Sequence, residues 1–453
     1  MNIVIVGDGK VGAALTQQLS KEGHDITVID NNAEVLTNSM ELYDIMAVQG
    51  NGASLTVQKE ANVGSSDLVI AATSADEINL LCCILAKKLG APHTIARVRN
   101  PEYAEQLIFL KEELGLSMTI NPERTSAREI FRILQFPTFI KRDSFAGGKV
   151  EIVELRISDK SKLHGKPLSE LYETVKVQVL VCAVERGGEV TIPTGAFVLQ
   201  AGDKIYVTAA TNLLADLIKN LGIIPQKTKS VIIVGGSRIA IYLAIMLLHA
   251  GIRVKIVERD RATCLKLADL LPKAQIICGD GSQQTLLHSE GLEEVDAIVT
   301  LTNIDEENLI ISMYAHHLGV PKAITKVNRL EYVGVFKDMG IDSVISPKSL
   351  TANEIVRYVR AMENTTGSSA LTLHRIANDQ VEALEFLVTG CTRHLGESLA
   401  EISLKKGILV ACISRPGKLI IPKGSDHFQK GDHIIVVTTA DRVIGDINDI
   451  FED

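Results

Sequence analysis

Tryptophan is absent from the 453 residues, and aromatic residues make up only 4% of them. Platforms that stack sugars or single-stranded nucleic acid are built from such rings, so the composition speaks against both classes. Aliphatic residues are plentiful instead, which suits parallel sheets covered by helices. A block of lysine and arginine is also missing and the net charge is −8, leaving no electrostatic footprint for nucleic acid or an anionic membrane surface. The longest apolar helical run, 239–248, falls far short of the ~20 residues that cross a bilayer. The first residues lack a basic leader and run straight into an apolar strand. Seven cysteines have neither CxxC spacing nor a nearby histidine ligand pattern and read as buried small hydrophobes in a reducing cytoplasm. The expectation is a soluble chain whose membrane role, if it has one, comes through a partner.

The most informative stretch present is 2–30. The apolar run Ile3, Val4, Ile5, Val6 meets the turn Gly7-Asp8-Gly9-Lys10-Val11-Gly12. Gly7 permits a tight turn, Gly9 lets a pyrophosphate approach the backbone, and Gly12 lets the next helix pack closely. That helix, expected over 11–22, has apolar residues at Val11, Ala14, Leu15 and Leu19 and turns its positive end toward the phosphates. A second strand, 26–29, ends at Asp30, whose carboxylate can accept hydrogen bonds from ribose hydroxyls and repel a 2′-phosphate. Further along, Gly50-Asn51-Gly52 closes one strand. Ala72, Thr73 and Ser74 end the strand 67–73, and Arg97 sits on another with a guanidinium suited to phosphate oxygens. Asp76 and Glu77 open a helix favourably. A helix over 123–134 stopped by Pro137, a linker over 141–149 and a small unit of alternating strands follow; in that unit Val153, Leu155 and Ile157 share a face.

The chain then repeats itself. Val231-Ile232-Ile233-Val234-Gly235-Gly236-Ser237-Arg238-Ile239-Ala240 restates strand, turn and helix start, and Glu258 falls 228 residues after Asp30. Gly279-Asp280-Gly281, the strand ending at Thr302, Asp305-Glu306-Glu307-Asn308 and Lys326 match Gly50-Asn51-Gly52, Thr73, Asp76-Glu77-Ile78-Asn79 and Arg97 with an offset of 229. The polar stretch 364–369 takes the place of the linker, and Gly431-Asp432 answers to Gly202-Asp203. The predicted fold class is α/β: two tandem Rossmann-like doubly wound domains, each followed by a small α+β subdomain. The boundaries read 1–140, 141–225, 226–362 and 363–453.

The copies differ where a ligand would lie. Ser237 replaces Gly9 and Ala240 replaces Gly12, making the second turn less open to a close pyrophosphate. Glu258 replaces Asp30, with Arg259 beside it. Chemistry for hydride transfer is missing: Tyr172 and Lys176 have Tyr-x-x-x-Lys spacing but lie in the small unit, and His316-His317 has no HExxH context. No catalytic residue and no metal site is expected.

On these residues the sequence resembles the TrkA family, cytosolic regulators of Trk-type bacterial potassium uptake with two RCK (KTN) domains in one chain. The resemblance implies a nucleotide-binding protein rather than an enzyme, taking NAD(H) and/or an adenine nucleotide (ATP or ADP). It implies a homo-tetramer of eight RCK lobes beneath a membrane-embedded Trk potassium channel subunit, with the chain cytoplasmic and peripheral on the inner face of the membrane. The implied binding residues are Gly7, Asp8, Gly9, Lys10, Val11, Gly12, Asp30, Asn31, Gly50, Asn51, Ala72, Thr73, Ser74, Glu77 and Arg97. In the second copy they are Gly235, Gly236, Ser237, Arg238, Ile239, Glu258, Arg259, Asp280, Thr302 and Lys326. Two alternatives stay open at this point: an NAD-dependent oxidoreductase, and a nucleotide or redox sensor serving another cation transporter.

Overall fold

The computed structural model describes residues 1–135, 142–221, 227–329, 343–363, 370–377, 380–416, 418–439, 442 and 444–452. Pro137, Lys141 and the polar stretch 364–369 lie outside the described residues.

The strand Asn2–Val6 buries all four of its aliphatic side chains, Ile3 to Val6, as a parallel strand covered on both faces must. It pairs in parallel with Asp25–Asp30 on one side and Leu68–Ala71 on the other. The full order is Met46–Gln49, Asp25–Asp30, Asn2–Val6, Leu68–Ala71, His93–Arg97, Met118–Ile120. Strand order reverses beside Asn2–Val6, and such a switch point opens a crevice at the carboxyl ends of the strands. The second half repeats the sheet as Gln275–Cys278, Arg253–Glu258, Ser230–Val234, Ala297–Thr300, Lys322–Lys326 and Ser343–Ile345. Both halves therefore have the doubly wound architecture read from the repeat.

Each parallel sheet is followed by a five-stranded antiparallel one. The supposed linker 141–149 is corrected here. Arg142–Phe145 is an edge strand paired antiparallel with Val150–Arg156, and the turn Ala146–Gly148 reverses the chain with positive φ at Ala146 and Gly148. A short strand ending in a Gly-Gly turn resembles a linker in composition, and only the pairing distinguishes them. Val153, Leu155 and Ile157 share a face as the alternation predicts. Those three pack beneath the helix Leu214–Asn220, while Val150 and Ile152 pack with Val381, Ala383 and Ile435 of the second antiparallel sheet. The two small sheets thus form one sandwich.

The parallel halves are joined by an exchange of helices. Pro122–Gln135, from the first half, buries Ala127, Ile130, Ile133 and Leu134 against Val231, Ile233, Leu243 and Leu247 of the second. Pro347–Glu363 returns the exchange, burying Ala352, Ile355, Val356 and Val359 against Ile3, Ile5, Leu15 and Leu19. Fully burying each large aliphatic side chain contributes about 1.5–3 kcal/mol, so either half alone would expose a substantial apolar stripe. Polar contacts fix the register: the Arg360 guanidinium donates to both carboxylate oxygens of Glu22, at 3.0 and 2.6 Å, and the Thr125 hydroxyl donates to Glu354 at 2.9 Å.

Truncating Ile130 should therefore damage the half it does not belong to in sequence. Ile130→Ala is expected to cost about 2–5 kcal/mol and to lower amide-exchange protection in Ser230–Val234 more than in Asn2–Val6; Ile355→Ala should do the reverse. Loss confined to Asn2–Val6 in Ile130→Ala would contradict the exchange.

Candidate functional site

The first cleft is built on the turn between Asn2–Val6 and the helix Lys10–Lys21. Gly7 has φ +94°, and a Cβ there would lie 2.9 Å from the Thr73 amide nitrogen. Strand end and turn thus approach as only glycine permits. At Gly12 a Cβ would lie 1.9 Å from the Gly7 carbonyl oxygen and 3.7 Å from the Ile5 side chain, so this glycine seats the helix closely on both the turn and the strand. Gly9 differs from both. Its φ is −73°, and among the described residues nothing lies within 4 Å of its Cβ position. It is also the N-cap of the helix, and no side chain caps the helix's first amides. These orphan N–H groups and the positive end of the helix dipole suit an anion.

Asp30 is held at the strand end beside this turn. One carboxylate oxygen accepts from the Asp8 amide at 2.7 Å and the other from the Asn32 amide at 2.8 Å. The carboxylate ties the turn in place and retains lone pairs for ribose hydroxyls. The Asp8 side chain, in contrast, is 3% exposed and accepts from the Ser39 hydroxyl at 2.5 Å. Burial pushes its carboxyl pKa up, against the Ser39 hydrogen bond, and Asp30 adds to the rise. Asp8 therefore offers the cleft its backbone, as do Val11 and Ile239, whose side chains enter the cores.

Thr73 and Arg97 are positioned by a residue that the sequence reading left as part of a helix start. Asn79, fully buried, accepts from the Thr73 amide at 2.8 Å through its side-chain oxygen and donates to the Arg97 carbonyl at 2.9 Å. Asn308 does the same for Thr302 at 2.8 Å and Lys326 at 3.1 Å. The available signal was its identity in both copies at an offset of 229. Asp76 is a second such device, accepting from the Arg99 and Asn100 amides at 2.8 and 2.7 Å. The remaining candidates of the first copy make local contacts. Asn31 is exposed, Glu77 accepts from the Tyr103 hydroxyl at 2.9 Å, and the Ser74 carbonyl accepts from the Arg99 guanidinium. Asn51 accepts from the Ala53 amide and shapes the turn whose Gly50 has φ +159°. Tyr172, 63% exposed on Leu171–Val175, remains in the small unit.

The second cleft encloses about 350 Å³ and is lined by Gly235, Gly236, Ser237, Glu258, Arg259, Asp280 and Thr302 among others. Glu258 repeats the Asp30 geometry with one more methylene, accepting from the Gly236 amide at 2.7 Å and the Asp260 amide at 2.8 Å. Its helix, however, is capped by its own residue: the Ser237 hydroxyl accepts from the Ala240 amide at 3.4 Å. The lining also carries Asp260, Asp280 and Glu307 where the first copy has Asn32, Asn51 and Ile78. Thr263 holds Asp260, and Ser282 holds Asp280, below the usual carboxylate range. The two clefts thus share the placement of a carboxylate at the strand end and differ in charge.

Cations of the two halves lie within electrostatic reach of each other. Lys326 is 6% exposed; burial lowers its pKa most, and Lys10 of the first half lowers it further. Arg97 is likewise lowered by burial first, with Arg238 of the second half among the cations acting on it, while Glu123 opposes the shift in both. Tyr242 bridges the halves here, accepting from the Asn121 amide group at 3.2 Å and donating to the Arg99 carbonyl at 3.4 Å. Replacing the clamp tests its role: Asn79→Leu leaves the Thr73 amide and the Arg97 carbonyl without it and should cost about 1–3 kcal/mol, read as a lower midpoint in thermal unfolding, whereas an unchanged midpoint would refute it.

Among the described residues no helix is long and apolar enough to cross a membrane, and no cluster of three or more His, Cys, Asp or Glu could hold a metal ion. The TrkA-N domain model matches residues 3–122 and 231–347, and the TrkA-C domain model matches 152–222 and 385–445. The Trk system potassium uptake protein TrkA homolog of Archaeoglobus fulgidus is 34% identical over 443 residues, covering 98% of each chain. The Trk system potassium uptake protein TrkA of Haemophilus influenzae is 30% identical over 459 residues, covering 100% of this chain and 99% of that one. Among solved structures, the GsuK channel aligns with a TM-score of 0.64 at 19% identity, and the GsuK channel bound to NAD with 0.63 at 20%; each covers 97% of this chain and 77% of the other. These structures share the fold. With both copies of the repeat matched and full-length relatives above 30% identity, the chain belongs to the TrkA family.

Proposed function

We propose that this chain is a nucleotide-binding regulatory subunit of a Trk-type potassium uptake system, a binding protein rather than an enzyme, acting on the cytosolic side of a membrane-embedded channel subunit. The observation that carries the reading is the first cleft: an uncapped helix N-terminus at Gly9, free space at its Cβ position, and Asp30 fixed beside it. These features fit NAD(H) or an adenine nucleotide such as ATP or ADP, with the diphosphate at the amides of Lys10 and Val11 and the ribose at Asp30. The second cleft fits the same class less openly, since phosphate there competes with the Ser237 cap, an interaction worth about 1 kcal/mol. The units of the repeat are assigned to 1–140, 141–225, 226–362 and 363–453, and four chains are assigned to an eight-lobed ring.

Regulation requires a ligand that binds one shape of the ring more tightly than another. Lys10 acts on Lys326, and Arg238 on Arg97, across the junction of the halves, and anionic oxygens held among these cations would relieve that repulsion. A polyphosphate supplies more such oxygens than a dinucleotide, so the junction distinguishes them by charge. Each tenfold preference for the closed junction shifts the equilibrium by about 1.4 kcal/mol.

Gly9→Glu tests the assignment. The added side chain meets open space at an ordinary φ, so the unfolding midpoint should move little, as for surface substitutions worth about ±0.5 kcal/mol. First-cleft affinity for ATP or NADH should fall at least about 100-fold, because like charges juxtaposed cost several kcal/mol. Calorimetric titration showing unchanged stoichiometry and affinity would overturn the reading. Co-purification of the full chain with a multispanning potassium channel subunit is the corresponding test of the partner.

A further inference from the structure

The cysteines do not all behave as buried hydrophobes, and this departs from the sequence reading. Cys82, Cys83, Cys182 and Cys412 are sealed in cores at 0% exposure, but Cys278 is exposed and sits beside Cys264. Cys264 lies in the first turns of the helix Arg261–Leu270, and its thiol donates to the Glu258 carbonyl at 3.1 Å. Cys278 ends the edge strand Gln275–Cys278 and is the register partner of Glu258. Helix and strand thus converge on Glu258 and bring two thiols, 14 positions apart in sequence, together there, one through its hydrogen bond to the Glu258 carbonyl and the other through strand register.

Their place matters as much as their proximity. The Glu258 carbonyl that accepts from Cys264 also accepts from the Gly279 amide at 2.9 Å. The same residue's carboxylate holds the turn at Gly236. Cys278 immediately precedes Gly279-Asp280-Gly281, and Asp280 and Gly281 line the second cleft. The first copy has Leu36 and Gln49 at the matching positions, so the pair belongs to the second half alone.

We propose that Cys264 and Cys278 form an oxidisable dithiol that closes to a disulfide under peroxide and thereby reshapes the rim of the second cleft. The exposed Cys278 thiol reacts first: a peroxide oxygen is transferred to its sulfur, giving the sulfenic acid and one water. The Cys264 sulfur then attacks the sulfenic sulfur; the S–S bond forms, the S–O bond breaks, and the hydroxyl leaves with the Cys264 proton as a second water. Two thiols are oxidised and one hydrogen peroxide is reduced to two waters. Burial, foremost, with Cys278, Glu258 and Asp260 nearby, raises the Cys264 pKa to about 11, so the exposed Cys278 is the thiol that meets peroxide first. Closure removes the Cys264 donor from the Glu258 carbonyl and draws on the residue before Gly279, the two attachments of the cleft rim. The effect on ligand rests on the nucleotide reading above; the disulfide itself does not.

The test uses the full chain treated with excess hydrogen peroxide, then alkylated and mapped by mass spectrometry. Expected is a linked pair of peptides carrying Cys264 and Cys278, lighter by two hydrogens, reversed by dithiothreitol and lost in Cys278→Ser. Oxidation of Cys278 to sulfinic or sulfonic acid while Cys264 stays alkylatable would overturn the proposal. ADP binding is then compared between reduced and oxidised Gly9→Glu chains, in which the second cleft remains, and should change by at least about fivefold, the lower end of ordinary site-to-site coupling. The change should vanish in Gly9→Glu chains that also carry Cys264→Ser and Cys278→Ser. A disulfide with unchanged ADP affinity overturns its coupling to the cleft. Failure of the reduced Gly9→Glu chain to bind ADP overturns the nucleotide reading of that cleft, while the mapped peptides still decide whether the disulfide forms.

Discussion

Burial of the apolar face of Pro122–Gln135 against the second sheet, and of Pro347–Glu363 against the first, is the constraint on which the rest depends. Each exchanged helix packs on the helix that begins at the other half's glycine-rich turn, since Leu15 and Leu19 belong to Lys10–Lys21 and Leu243 and Leu247 to Arg238–His249. The helix that follows each glycine-rich turn is therefore packed against a helix whose chain comes from the other half. Close-packed interiors transmit strain rather than absorb it. A shift of either turn is consequently felt across the junction, where Lys10 acts on Lys326 and Arg238 on Arg97.

Within this symmetric frame the halves have diverged in their polar parts. Thr300, Ser312 and Thr325 form a buried hydroxyl network, with Thr325 donating to Ser312 at 2.7 Å. Ala71, Cys83 and Ala96 occupy the matching positions in the first half and are fully buried. The clefts diverge in the same direction. Three acidic residues of the second lining have neutral counterparts in the first, and Ser237 supplies to its helix the acceptor that Gly9 lacks. A helix end that satisfies itself gains less from a phosphate than one that does not. The asymmetry is thus electrostatic and local, while the scaffold remains common to both.

Much of this was legible in the sequence, and the reason is that the legible features are local. Buried β-branched runs and glycine turns act over a few residues, and their repetition at 228–229 positions fixed the architecture of both halves and the place of Asp30 and Glu258. Features that depend on what packs against a segment were not legible. Arg142–Phe145 passed for a linker because its partner strand, rather than its own residues, makes it a strand. Asp8 was assigned to the cleft by its place in the fingerprint, whereas Ser39 of a later helix draws its side chain inward. The cysteines were read by spacing along the chain, and the proximity of Cys264 to Cys278 arises from the return of a helix over a sheet edge. The exchange of helices was hidden for the same reason, since Ile130 and Ile133 mark an apolar face without naming the surface it covers.

The buried asparagines explain how a regulator can keep such clefts intact while their surroundings move. Asn79 and Asn308 each fasten the end of one strand to the end of the next through the backbone of Thr73 and Arg97, or of Thr302 and Lys326. Backbone groups so held stay in register irrespective of the side chains around them, and a satisfied buried amide is costly to disturb. The backbones of Arg97 and Lys326 are thereby fixed to the neighbouring strand ends of their own sheets. Strand ends tied in this way make each cleft border part of its own sheet, and the composite core makes each sheet part of its neighbour, so the polar clamps and the exchanged helices together join the two clefts into one body.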